Sequence, residues 1–440
     1  MNPGGTSAPI APAPLRTSLS PEQADALLRL FDPAIKLESW SRNNTGPSGY
    51  ETLYGLGQQR SIELRLDQHQ ELLAELRDLR GIGGWTFLAL SYDLKAETCL
   101  PEKRLGRLNS GNPDRRNWPD LLAWEPQFVL GRKGEDIYLL EGPLEDLPKP
   151  PENKAVFLPP PGLKIQSDVD RKSYLGQVAS IRQHIREGDV YELNYCQEFY
   201  AELPPACLDP WALYQRLGEL SKAPFSAFLR KGQDYVCCAS PERFLQLKSN
   251  KLLSQPIKGT AARGRYAEED RFFMAQLVNS EKDRAENVMI VDLVRNDLAR
   301  VCKSGSVKVP ELFGRHTFPT VHHLISSVTG DLKEDFDGID AIEACFPMGS
   351  MTGAPKIRAM ELIESHESFR RGLYSGSIGY FTPSGDFDLN VVIRTIFWNH
   401  DNGLMSFPIG GAITWDSVAE SEYAECMIKA DGIRRVLAGE

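Results

Sequence analysis

The stretch Tyr235-Val236-Cys237-Cys238-Ala239-Ser240-Pro241-Glu242-Arg243-Phe244-Leu245-Gln246-Leu247, followed after a short polar interval by Gln255-Pro256-Ile257-Lys258-Gly259-Thr260-Ala261-Ala262-Arg263-Gly264, decides the fold class. Tyr235 to Ala239 and Phe244 to Leu247 read as strands, and a Pro–Gly-Thr turn carrying a lysine follows them. Upstream, Val190 to Phe199 and Phe225 to Arg230 are further strand-like runs. Downstream, strands are expected at Tyr374 to Phe381, Leu389 to Phe397 and Leu404 to Phe407.

Helical patterns interrupt these runs. Tyr174, Val178, Ile181 and Ile185 fall at helical spacing and end at Gly188, a fitting C-cap. Acidic residues near Glu268 open a long helical pattern that continues through Val288, Ile290, Val291, Val294, Leu298 and Val301. Another helix is expected from Pro355 through Ile363, and a last one from about Ala419. Long antiparallel strands punctuated by helices predict an α+β layered fold.

In the first third, Ile82 to Tyr92 is a strand candidate, and the Pro-rich bridge Leu158-Pro159-Pro160-Pro161-Gly162 marks a boundary. The expected organisation is a flexible tail over 1–15, an N-terminal region over 16–165 and a catalytic domain over 166–440. Met1 to Leu15 contains no lysine or arginine and reads as a tail, not a signal peptide.

The 440 residues carry a net charge of -10, and no basic block offsets it, which argues against nucleic-acid binding. No apolar run approaches the roughly 20 residues needed to span a membrane. The eight cysteines form no C-x-x-C pair, so reduced thiols and a cytoplasmic location are expected.

Several residues are candidates for chemistry. Lys258 is fixed between a proline and a Gly-Thr turn; with an ordinary pKa of roughly 10.4 it becomes a nucleophile only after losing its proton. A surface lysine leaving a strand is the plainer reading. Glu422 and Glu425 lie three apart on one helix face, and Glu286 sits in an amphipathic helix. Each could be a solvated carboxylate, but carboxylates converging from two helices form the oxygen site that Mg²⁺ prefers. His323, in Val321-His322-His323-Leu324-Ile325, is either a packed histidine or a catalyst. Ser350, in a glycine and hydroxyl turn running into a helix, and the Gly410-Gly411 turn could hold a carboxylate. Arg394 in the middle of an apolar strand needs a buried partner, either a structural carboxylate or a substrate carboxylate. Glu242 could act as a general acid if burial raised its pKa.

Taken in order, Ser-Pro-Glu-Arg-Phe at 240–244, the run from Asp283 to Asp297, His322-His323-Leu324, Gly353-Ala354-Pro355-Lys356 and Glu422-Tyr423-Ala424-Glu425 closely resemble the chorismate-utilising enzymes, from about Ser173 to the C-terminus. That resemblance implies two large antiparallel β-sheets stacked as a sandwich with helices outside and the active site between the sheets. Within the family, Pro256-Ile257-Lys258-Gly259-Thr260 resembles the aminodeoxychorismate synthase component I branch, whereas anthranilate synthase component I, the alternative, carries alanine in place of the lysine. The implied reaction is attack of Lys258 on C2 of chorismate with loss of the C4 hydroxyl. Ammonia then attacks C4, giving 4-amino-4-deoxychorismate for p-aminobenzoate and folate synthesis.

The resemblance further implies Glu242 as general acid and base and His323 beside the ring. It implies Arg394, Tyr374, Ser350 and the Gly410 and Gly411 amides as carboxylate grips. Glu286 and Glu425 are implied Mg²⁺ ligands, with Glu422 nearby through a metal-bound water. Nothing in the chain resembles a glutaminase, so ammonia is expected from a separate glutaminase subunit or from solution. A catalytically silent chorismate-binding subunit is the contrasting class; it predicts loss of the carboxylates or of Lys258, and all are present. Two departures stand out. Glu192, in Gly188-Asp189-Val190-Tyr191-Glu192, occupies a position where amine-using members usually carry glutamine and water-using members lysine. Leu37-Glu38-Ser39 is weakly similar to the element with which anthranilate synthases bind tryptophan.

Overall fold

In the computed structural model, residues 13–40, 46–69, 71–81, 83–98, 108–152, 163–205, 207–319 and 321–438 are described. The Pro-rich bridge and nearly all of the expected tail lie outside them; Leu15–Arg16, where the tail was expected to end, pairs with Leu139 and Tyr138.

Two sheets dominate. Sheet I has twelve strands and runs Leu15–Arg16, Asp136–Glu141, Phe128–Lys133, Thr52–Leu56, Ala34–Glu38, Phe225–Lys231, Asp234–Ser240, Thr395–Asn399, Leu404–Thr414, Glu192–Glu202, Gly353–Ala354, with Gln166–Ser167 beside Glu192–Glu202. Sheet II has ten strands and runs Ile257–Ala262, Val321–Asp331, Lys251–Gln255, Arg243–Lys248, Phe387–Asn390, Ser377–Phe381, Thr86–Leu90, Leu121–Glu125, Arg60–Leu64, with Lys308–Thr317 against Val321–Asp331. The first 165 residues supply strands to both sheets, so neither sheet belongs to one end of the chain.

Strand alternation builds the layers. In Phe225–Lys231 and Asp234–Ser240, Ala227, Leu229, Val236 and Cys238 join the core between the sheets, whereas Phe228, Cys237 and Ala239 join a second core under the outer helices. Each fully buried aliphatic or aromatic side chain in these layers contributes roughly 1.5–3 kcal/mol. The expected Tyr174 helix spans Arg171–Glu187, capped by the Asp170 carboxylate on Ser173 N and by Gly188 at φ 86°. Tyr174, Val178 and Ile181 pack it onto the outer core, alongside Pro210–Ser221, Lys356–His366 and Ala419–Ala438.

Three expectations need revision. The long helix after Glu268 is two, Ala267–Asn279 and Glu281–Val301, because Ser280 turns extended and its hydroxyl caps the second helix at Asp283 N. The strand expected over Leu389 to Phe397 breaks into Phe387–Asn390 in sheet II and Thr395–Asn399 in sheet I. Gly410 and Gly411 lie inside Leu404–Thr414, paired with Cys196 and Tyr195, not in a turn.

Candidate active site

Two of the places where the chain passes between the sheets lie side by side. At Pro241–Glu242 it leaves sheet I for sheet II, and at Val391–Arg394 it returns. The crossings are tied together, since Val391 N donates to Glu242 O over 3.1 Å and Ala239 N to Arg394 O over 3.2 Å. Arg394 is therefore not in the middle of a strand: it takes a left-handed φ of 51° at the crossing. Glu242 is buried, its backbone clamped by Ser240 Oγ. Burial pushes its carboxyl up to about 7, against the pull of the neighbouring Ser350 hydroxyl, Lys258 and Arg394. Among the described residues no carboxylate lies within ion-pair distance of the Arg394 guanidinium. Burial lowers its pKa and Glu242 alone opposes that.

Lys258 belongs to the Ile257–Ala262 strand, not to a turn. The register against Val321–Asp331 slips between Ile257 and Thr260, and Gly259 takes φ 90° within that slip. A glycine bulge of this kind re-aims its neighbour's side chain. Lys258 is accordingly buried, at 8% exposure, and its Nζ donates to Glu192 Oε1 over 2.5 Å. Glu192 comes from sheet I and Lys258 from sheet II, so the contact spans the sandwich. Burial alone would push Lys258 down, but Glu192, Glu286 and Glu242 outweigh it and hold the ammonium above its ordinary range.

His323 faces the same space from sheet II. Its Nδ1 lies 2.9 Å from Thr260 Oγ1, and its buried Nε2 has no hydrogen-bond partner among the described residues. Burial, helped by Arg394, pulls its pKa down to about 3, so the imidazole is neutral at ordinary pH.

The carboxylates form the other wall. Glu286 lies on the buried face of its helix with Ile290 and Val294, and burial pushes it up to about 7, with Glu192 adding and Lys258 and Lys282 opposing. Glu286 Oε1 is buried without a hydrogen bond. Glu422 lies in the buried row Cys426, Ala430 and Ile433. Lys282 Nζ stands between these helices, 3.8 Å from Glu286 and 3.1 Å from Glu422. Glu425 is half-exposed; burial would raise its carboxyl, but Lys429 at 2.8 Å holds it below its ordinary range. Gly411 adjoins this wall, since a Cβ there would lie 3.9 Å from Glu422 Oε2.

Thus Lys258, Glu242, His323, Arg394, Ser350, Glu286, Glu422 and Glu425 are linked in one electrostatic network. Tyr374 is set apart, its hydroxyl 3.7 Å from Cys196 Sγ. Among the described residues, the three metal-ligand atoms that do meet within 4.8 Å are those of His184, Glu187 and Asp189. There Asp189 already binds His184 Nδ1 at 2.8 Å and Arg358, an ion-pair cluster on the surface. Leu37 to Ser39 line a separate small cavity with Tyr50, Phe225 and Asn390. No role for Glu192 can be read from the sequence alone. Its signal was the change of residue type in Gly-Asp-x-Tyr-Glu, but no partner could be read from the chain.

The chain belongs to the chorismate binding enzymes, whose family profile matches residues 30–435. It is 45% identical over 281 residues to the chloroplastic aminodeoxychorismate synthase of Arabidopsis thaliana, covering 63% of this chain and 29% of that one. It is 43% identical over 272 residues to aminodeoxychorismate synthase component 1 of Escherichia coli, covering 62% of this chain and 59% of that one. The matched region is thus less than two thirds of either relative. The crystal structure of anthranilate synthase component I from Streptococcus pneumoniae superposes with a TM-score of 0.75 at 28% identity, over 87% of this chain and 92% of that one. The expected α+β sandwich is therefore correct. Among the described residues no helix is long and apolar enough to cross a membrane.

Proposed function

We propose that this chain is a component I type aminodeoxychorismate synthase, replacing the C4 hydroxyl of chorismate by ammonia through a covalent adduct on Lys258. The observation that carries the reading is a buried lysine that reaches across the sandwich to Glu192 and shares one electrostatic network with a carboxyl near neutrality and with an arginine that has no carboxylate partner among the described residues.

Lys258, as free amine, attacks C2. The ring π-electrons shift and the C4–O bond breaks, with Glu242 donating the proton that lets the oxygen leave as water. Glu242 suits this role because a carboxyl near 7 is substantially protonated at neutral pH. Ammonia then attacks C4 and the lysine is expelled from C2. Arg394 grips a substrate carboxylate, with Ser350 and the Gly410–Gly411 segment bordering the same space. Neutral His323 presents its partnerless Nε2 to the ring region.

Glu286, Glu422 and Glu425 would hold Mg²⁺. The fit rests on the all-oxygen donor set, on Glu286 Oε1, which makes no hydrogen bond among the described residues, and on the Lys282 ammonium, a cation already accommodated between Glu286 and Glu422. Bound there, the ion would neutralise the ring carboxylate and make it a better electron sink. We assign the chemistry to 166–440, with 16–165 completing both sheets, and ammonia to a separate glutaminase subunit. The seven described cysteines are free, in keeping with a cytoplasmic setting.

The test is product analysis of the purified chain with chorismate, Mg²⁺ and ammonium at alkaline pH. Aminodeoxychorismate, which a lyase turns into p-aminobenzoate, is the expected product; anthranilate with pyruvate, or unchanged chorismate, would overturn the reading.

A further inference from the structure

Two buried carboxylates set the contrast for a third. Glu198 receives Arg116 on Oε1 and Arg115 on Oε2, at 2.5 and 2.8 Å. Glu367 receives Arg371 on both oxygens and Cys196 N besides. These are structural anions, fully occupied by donors that cannot give up a proton at ordinary pH. Glu192 is equally buried, at 1% exposure, but among the described residues its side chain bonds only to Lys258 Nζ, through Oε1, and its Oε2 has no hydrogen-bond partner. The group in contact with it is an ammonium, which, unlike a guanidinium or an amide N–H, can give up a proton.

We propose that Glu192 is the catalytic base that deprotonates Lys258, and that it returns the same proton when the lysine is expelled. The inference rests on the lysine-adduct reading above. The protons balance around the cycle. The Nζ–H bond breaks and an Oε1–H bond forms, giving Lys258–NH₂ and Glu192–COOH. Attack makes the N–C2 bond and leaves a secondary ammonium, while C4–O breaks and the Glu242 proton leaves in water. Ammonia adds at C4, the N–C2 bond breaks, and Lys258 departs as a neutral amine. Glu192–COOH reprotonates Lys258, and the C4 ammonium returns one proton to Glu242. Each carboxyl ends as it began, with chorismate and ammonia converted to aminodeoxychorismate and water.

This pairing explains how a lysine held protonated at rest attacks without first releasing a proton to solvent. The groups facing Lys258 are Glu192 from the Glu192–Glu202 strand, Glu242 from the crossing, Glu286 from the Glu281–Val301 helix and Glu425 from the last helix. Of these, only Glu192 is within ion-pair distance among the described residues. Removing its carboxylate leaves the others, which still favour the ammonium, and takes away the acceptor in contact with it.

The experiment follows the adduct by intact-protein mass in ammonia-free buffer, with the full chain, chorismate and Mg²⁺, for wild type and Glu192→Gln between pH 6.5 and 9.5. Glu192→Gln is expected to slow adduct formation at pH 7 by about 10²-fold, the range of a lost general base. The ratio of variant to wild-type rate should then climb about tenfold per pH unit, tracking the free amine, because loss of the Glu242 proton above about pH 7 slows both alike. A variant as fast as wild type at pH 7, or one slowed by the same factor at every pH, would overturn the proposal. If Glu192→Gln does not fold, Glu192→Ala with added formate takes its place: restored adduct formation supports the base, and no restoration overturns it. A wild type that yields neither adduct nor aminodeoxychorismate defeats the lysine reading and this inference together, whereas a wild-type adduct with an unaffected variant defeats this inference alone.

Discussion

Glu242 and Arg394 occupy two adjacent crossings of the chain from one sheet to the other, tied together by the hydrogen bonds from Val391 N to Glu242 O and from Ala239 N to Arg394 O. A carboxyl and a guanidinium held this way need no long flexible loop to reach the interior. Their backbone positions are fixed by the sheets, which suits a site whose groups must keep their geometry as charge moves.

Replacing Glu242 with glutamine should lower turnover by about 10²- to 10⁴-fold, because the departing C4 oxygen loses its acid. Steady-state rates with saturating chorismate and ammonium measure this. Wild-type turnover should also decline as pH rises through about 7, where the Glu242 proton is lost, and that limb should be absent from the variant's profile. A variant with wild-type turnover would remove Glu242 from the chemistry.

The same residue links stability to pH. Its carboxyl rises from 4.5 to about 7 on folding, so the folded state holds this proton more tightly than the unfolded chain. The stabilisation is complete below 4.5 and is lost as pH climbs through 7; a rise of this size amounts to about 3 kcal/mol. Between pH 5 and pH 8, metal-free wild type should therefore lose more thermal stability than Glu242→Gln. Melting curves at the two pH values check it, and equal losses would contradict it.

Arg394→Met should raise KM for chorismate by tenfold or more while leaving the fold intact, since a charged hydrogen bond to a substrate carboxylate contributes about 1.5–3 kcal/mol. With no carboxylate partner among the described residues to be orphaned, the variant should melt at or above the wild-type temperature. Unchanged KM would make the arginine structural.

Much of this site was legible in the chain, and what was missed has physical causes. The run Leu389 to Phe397 looks like one strand because no glycine or proline marks the crossing; the break is made by Arg394 taking a left-handed backbone. Glu192-Leu193-Asn194-Tyr195-Cys196 alternates polar and apolar residues like any half-solvated strand. Here, however, the apolar residues Leu193 and Tyr195 meet the outer helices and the polar face looks into the sandwich. Alternation gives the period of a strand but not which face meets water. Glu422 is similar: its place in the buried row with Cys426 and Ala430 is visible only once that row has a sheet to pack on.

Magnesium should raise the melting temperature of the wild-type chain, because an ion bound only by the folded state stabilises it in proportion to the logarithm of its concentration over Kd. Glu286→Gln should abolish most of that increment, because it removes the charge of a carboxylate whose buried Oε1 makes no hydrogen bond among the described residues. Lys282→Met should act in the opposite direction. The Lys282 ammonium stands between Glu286 and Glu422, so an incoming ion must displace it and meets its charge. Removing that competitor should tighten magnesium binding by about tenfold, which corresponds to about 1.4 kcal/mol of relieved repulsion. Titration calorimetry on wild type and both variants separates the outcomes. If Lys282→Met binds more weakly than wild type, the lysine supports the site instead of competing for it.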